Sequence, residues 1–157
     1  MTAVLGFSLD TLLAINSNTL RRSIERGDQA WLTSVEQAFA ALSAVPYRHP
    51  DDPESHNEAW IVRHRIFHRA LVNACGSQWL LGFRDILHEQ SERYRRLSVR
   101  RETGVSRDVE AEHAAIVRAV LRRDADAAVE ALTQHFLTTM HLVELAAPRI
   151  SEISETT

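Results

Sequence analysis

One cysteine, no lysine, five glycines and four prolines are what this 157-residue chain has least of. The single Cys75 excludes an internal disulfide, so cysteine usage gives no support to an oxidising compartment. With lysine absent, all 18 basic residues are arginine, and against 21 Asp and Glu they leave a formal charge of -3. A surface built mainly to grip nucleic-acid phosphates usually carries a clear basic excess, so the balance argues against that class. No stretch approaches the ~18 apolar residues of a membrane span, and the first ten residues lack the basic and apolar regions of a secretory signal. These absences predict a soluble, cytoplasmic protein with no membrane partner. The length suits one domain, and a 45% apolar share suffices for a sizeable core.

Breakers are concentrated: Pro46, Pro50 and Pro53 share one short stretch, and β-branched residues form no alternating run. The remainder reads as helix, and six segments emerge. The first runs from Leu9 to Arg26 and stops at Gly27, expected as a left-handed cap. Asp28 starts a second, with Trp31, Leu32, Val35, Phe39 and Leu42 at helical spacing, ending before Pro46. Residues 46–56 read as a loop. Asn57 caps a third helix with the stripe Ile61, His64, His68, Leu71, Val72 and Cys75, closed by Gly76. Ser77 opens a fourth with Leu80, Leu81, Phe83, Ile86, Leu87, Tyr94 and Leu97 as its apolar face, fading into Arg100–Gly104. Ser106 is expected to cap a fifth, whose buried face is His113, Ile116, Val117, Val120 and Leu121, with Asp108 and Glu110 at its positive end. Asp124 caps a sixth carrying Val129, Leu132, His135, Phe136, Thr139, Met140 and Val143, and Pro148 is expected to stop it before a fraying polar tail. The predicted fold class is all-α, an antiparallel bundle of six to seven helices forming one domain with its core over residues 9–147.

Four of the eight histidines, His64, His68, His113 and His135, fall on predicted apolar faces of three helices. His64 and His68 are one turn apart, so their rings leave the same face with Cβ atoms roughly 6 Å apart, the spacing at which two imidazoles share one ion. His113 and His135 can supply further nitrogen donors from the facing helices. Neutral imidazole is the commonest nitrogen ligand for such metals, and four unpaired buried rings with no metal would be costly. His49 and His56 in the proline-rich stretch, His88 toward the polar side of its helix and His141 off the stripe read as structural.

The runs Arg63-His-Arg-Ile-Phe-His-Arg-Ala-Leu71, Ala74-Cys-Gly-Ser77, Glu112-His-Ala-Ala-Ile116 and Asp124-Ala-Asp-Ala-Ala128, followed by His135, resemble the C-terminal FCD domain of GntR-type bacterial transcription regulators, in the FadR branch. The likeness extends from about Leu9 to Val143. It implies a six- or seven-helix antiparallel bundle, often a homodimer, that holds a divalent metal and a small carboxylate effector in a central cavity. It also implies that effector binding is passed to an N-terminal winged helix-turn-helix, which alone touches DNA. Only about eight residues precede the first helix, so that reader domain is expected to be absent from this chain. The family's metal ligands, an Asp and three His, fall on His64, His68, His113 and His135, the set that periodicity picks. His64 replaces the Asp. That removes a negative charge beside the ion, which favours an anionic effector and a nitrogen-preferring metal, zinc or nickel ahead of iron or manganese.

A carboxylate or hydroxycarboxylate on the metal would be forked by arginine. Arg84, embedded among Phe83, Ile86 and Leu87, is the preferred anchor, Arg65 the next, and Tyr94 a hydroxyl donor. No catalytic residue is assigned, and the protein is read as a sensor rather than an enzyme. The alternative is a helical mononuclear metalloenzyme, hydrolase-like, using the histidine cluster with Glu110 or Glu112 as base. A third reading is a dimerisation bundle whose histidines merely titrate.

Overall fold

The computed structural model describes residues 9–99 and 107–154. Leu9–Arg26 form α1, which buries Leu12, Leu20 and Ile24 together with Asn16, Thr19 and Ser23. Gly27 ends it for a reason other than the expected left-handed cap, since among the described glycines only Gly76 has a positive φ, 77°. The Trp31 ring lies directly on the Gly27 Cα, and a Cβ there would enter the indole and stand 2.7 Å from the Ser23 carbonyl. Gly27→Ala is therefore expected to cost about 1–3 kcal/mol of stability by overpacking, read as a lowered urea midpoint.

Asp28 caps α2 (Gln29–Ser43) by accepting from the Trp31 amide, and Trp31 Nε1 then donates to the Ala70 carbonyl at 2.9 Å, fastening α2 to the third helix. Residues 46–56 are more than a loop. Arg48–His49 (β1) and Asp52–His56 (β2) pair antiparallel, with Arg48 opposite His56. The pair is short and exposed along most of its length, so it lacks the alternating apolar run by which strands are read. The Asn57 amide donates to the Tyr47 carbonyl at 3.1 Å and closes its base, while the Asn57 side chain caps α3 (Glu58–Val72).

In α4 (Gln78–Val99) the expected apolar face is only partly the buried one: Leu81 is buried and Leu87 packs on the core, but Phe83 and Ile86 are not inside. Leu81, Arg84, His88, Ser91, Glu92 and Arg95 are buried, whereas Trp79, Phe83 and Ile86 are 82%, 56% and 58% exposed. An apolar stripe marks the buried side only when the interior is apolar, and this helix borders a polar chamber. Asp108, not Ser106, caps α5 (Val109–Leu121), accepting from the Ala111 amide. Leu121, expected inside, is 37% exposed. Asp124 accepts from the Ala127 amide at the start of α6 (Ala125–Ser154), which continues through Pro148 instead of stopping there. A proline inside a helix removes one backbone hydrogen bond but leaves the other rungs, so it need not terminate a long helix. Ser106, the run Arg100–Gly104 and the Leu97 side chain lie outside the described residues.

The fold is thus all-α apart from one β-ribbon. α1 packs on α3, α4 and α6, α2 on α3 and α5, and α5 on α6. Phe67, Leu71, Ile61, Leu20, Ile116 and Val120 form the apolar centre. No described helix is long and apolar enough to cross a membrane.

Candidate metal centre

The three-four spacing on α3 places Phe67 in the apolar centre and His64 and His68 beside it, on the inward face. His113 from α5 and His135 from α6 meet them. All four rings are no more than 3% exposed. Ring centroids are 4.4 Å apart for His64 and His68, 5.2 Å for His68 with each of His113 and His135, and 4.6 Å for His113 and His135. One nitrogen from each ring lies within 4.8 Å of the others. Trp60 stacks on His64 at 4.5 Å, and Phe67 and Phe136 press on His68, so the rings are held on an apolar bed.

The donor chemistry fits a cation. Burial pushes His64, His68, His113 and His135 below the ordinary imidazole range, and the charges around them reinforce this for His64. Neutral rings keep the lone pair a metal needs. The Nε2 atoms of His68 and His113 approach to 3.3 Å, and His135 Nε2 is buried with no hydrogen-bond partner. A buried, unpartnered nitrogen costs roughly 1–3 kcal/mol, which a bound ion would relieve.

His135 is oriented from behind. Its Nδ1 lies 2.8 Å from Glu112 Oε2, and Arg107 forks the same carboxylate at 2.8 and 2.7 Å. Burial works to raise the Glu112 carboxyl, but the hydrogen bonds from Arg107 and His135 outweigh it and lower the group to about 2. An ionised Glu112 fixes the proton on Nδ1 and turns Nε2 inward, the arrangement by which carboxylates commonly support metal-bound histidine. Glu112→Gln is expected to weaken zinc binding about 10–100-fold, measured by competition with a chromogenic chelator.

A second cluster borders the first. His64, His88 and Glu92 also bring ligand atoms within 4.8 Å of one another. Here a cation is already present, because the Arg95 guanidinium lies 2.5 Å from Glu92 Oε2, 3.4 Å from His88 Nε2 and 3.5 Å from His64 Nδ1. His88 is therefore buried among polar partners, not on the polar exterior as its sequence position suggested.

Above the histidines opens a cavity of about 40 Å³, several times the ~10–15 Å³ that one water requires. Arg95, Arg107, His64, His135, Tyr47 and His56 are among the residues that line it. The three expected effector contacts lie elsewhere. Arg84 is buried but engaged with Asn16, Asp85 and His88, Arg65 points to solvent, and Tyr94 packs against Met140 and Val143. Apolar neighbours in sequence favoured Arg84, yet two of them, Phe83 and Ile86, are exposed. The recurrence of polar residues at 84, 88, 91, 92 and 95 was the available sign of a polar inner stripe. Arg107 carried no such sign, since it precedes its helix.

The fold and site define a helical bundle built round a buried polar chamber. Residues 8–138 match the FCD domain, and the chain belongs to that family. It is similar to an uncharacterised HTH-type transcriptional regulator, BphR, of Paraburkholderia xenovorans, 35% identical over 133 residues that make up 85% of this chain and 54% of that protein. It is likewise similar to the HTH-type transcriptional repressor GlaR of Escherichia coli, 33% identical over 127 residues, 79% of this chain and 57% of that one. The chain thus spans little more than half the length of these relatives.

Proposed function

We propose that this chain is the metal-containing, small-carboxylate-sensing domain of a GntR-type bacterial transcription regulator, acting on DNA through a winged helix-turn-helix on its N-terminal side. The observation that carries the reading is a quartet of neutral imidazoles, two of which, His64 and His135, also line a cavity that Arg95 and Arg107 share. The metal would be held by His64, His68, His113 and His135, zinc or nickel before iron or manganese, and when bound it would offer an anion open coordination positions. Arg95 supplies fork-like donors to the far carboxylate. Arg107 contributes positive potential while holding Glu112. The effector acts by population shift, binding one arrangement of the bundle better than another. The regulator relatives support this reading.

The metalloenzyme reading loses its base in this geometry. Glu112 is locked between Arg107 and His135 with its carboxyl lowered to about 2, and Glu110 is exposed. A homodimer is supported by the apolar row Trp79, Phe83 and Ile86 on α4, with Val62 and Ile66 on α3 exposed as well. A second copy of this chain is the proposed cover, and Phe83→Asp is expected to shift the protein to monomer in analytical ultracentrifugation.

The test compares zinc-loaded and chelator-stripped protein in thermal-shift titrations with two- to six-carbon carboxylates. Stabilisation confined to the loaded protein is expected. Equal stabilisation of the stripped protein, or turnover of the carboxylate, overturns the proposal.

A further inference from the structure

The hydrogen-bonding character of the cavity is weighted toward donors. Arg95 and Arg107 have donors only, and a metal takes only lone pairs, so each asks the ligand for an acceptor, which a carboxylate provides. Tyr47 can donate or accept through its hydroxyl and Trp60 can only donate, while the remaining polar groups are committed. Glu92 is held by Arg95, His135 Nδ1 faces Glu112, and Thr139 donates to the His135 carbonyl while accepting from Arg107. His56 differs. Both its ring nitrogens are shielded from solvent, and neither has a hydrogen-bond partner.

The ring is fixed rather than mobile. His56 ends β2 opposite Arg48, one residue before the Asn57 amide that closes the ribbon on the Tyr47 carbonyl. Tyr47 meets its ring edge-on at 4.8 Å, and Trp60 lies nearly parallel at 6.0 Å. Trp60 in turn stacks on His64, so the ribbon is tied through three rings to the histidine cluster. Burial and the neighbouring Arg95, Arg48 and Arg96 lower His56 to about 4, leaving a neutral ring with one N–H and one lone pair.

We infer that His56 selects for a hydroxycarboxylate over the corresponding plain carboxylate, its free lone pair accepting from a hydroxyl while the arginines and the metal centre take the carboxylate. This rests on the carboxylate-sensing reading above and narrows it to one chemical class. A site built to bond a hydroxyl discriminates sharply against the analogue lacking it, because its own polar atom is left unpaired.

The test uses isothermal titration of zinc-loaded protein with three pairs differing by one hydroxyl: glycolate and acetate, lactate and propionate, malate and succinate. The hydroxy acid of at least one pair is expected to bind about tenfold more tightly. His56→Phe keeps the ring stack, so it should still bind the carboxylates but with the ratio reduced to within about twofold, whereas His56→Gln restores a donor and an acceptor and should recover part of the preference. A wild-type ratio near one in every pair, or a preference that survives in His56→Phe, overturns the inference and leaves the carboxylate reading standing. So does His56→Phe raising the melting temperature with no change in ratio, the mark of a ring that only plugs the core. If no acid of any pair binds wild type, the carboxylate reading fails and the inference falls with it.

Discussion

His68→Ala is expected to lower the bound metal from close to one ion per chain to below about a tenth, in protein purified without a nickel column. His68 is the ring on which the cluster turns: its Nε2 stands 3.3 Å from that of His113, and His64, His113 and His135 surround it with ring centroids 4.4 to 5.2 Å away. Alanine removes one donor and opens a gap on the apolar bed of Phe67 and Phe136. Three donors can still meet an ion, but the wide gap lets water into the coordination shell, and the affinity of a closed site is lost. A ligand at 100–1,000 times its Kd stabilises the folded state by about 2.7–4.1 kcal/mol, which for a chain of this size is roughly 5–15 °C of melting temperature. Chelator should therefore lower the wild-type melting point by about that amount and leave His68→Ala almost unmoved. His141→Ala, at an exposed position on α6, serves as the control and should match wild type. A wild type carrying no metal, or a His68→Ala variant that keeps it, would remove the metal centre from the account.

The parts of this structure that were legible in the sequence are those decided locally. Asp28, Asn57 and Asp124 cap helices because a short side-chain oxygen can reach an amide two or three residues on, whatever the rest of the chain does. The histidine quartet was legible because His64 and His68 interrupt an otherwise apolar stripe at one-turn spacing, and because His113 and His135 each stand mid-stripe. What failed was inference from apolarity to burial on α4. Trp79, Phe83 and Ile86 form a good apolar row, but the chamber needs cations and hydrogen-bond partners for its histidines and carboxylates, and Arg84, His88, Glu92 and Arg95 supply them from the inward face. Arg84, favoured for its apolar neighbours, does not line the cavity, and Arg95 on the same inward face does. His56 was hidden for another reason: its environment is made by Tyr47 and Trp60 across a bulged ribbon too short to leave a periodic signal.

Arg95→Met should separate the two ligands that the cavity is proposed to take. Arg95 is 9% exposed and its guanidinium touches Glu92, His88 and His64, so methionine preserves most of the buried stem while removing the charge and the fork. Loss of a charge-assisted contact in a shielded site costs about 1.5–3 kcal/mol, which is roughly 10–150-fold in carboxylate affinity. Metal affinity should move the other way. A neutral imidazole has one lone pair, and His64 cannot give it to an ion and accept from Arg95 at the same time. Removing the arginine ends that competition and takes a buried positive charge from beside the site, so zinc is expected to bind more tightly, by about tenfold. Glu92 is left without its partner, and Arg95→Met with Glu92→Gln restores neutrality should the single variant fold poorly. Arg65→Met, which removes an exposed arginine, should change neither affinity. Opposite shifts in the two affinities would identify Arg95 as the hinge between metal and effector, because a merely structural residue would weaken both together. A carboxylate affinity that survives Arg95→Met would transfer the anchor to Arg107, the remaining arginine lining the cavity.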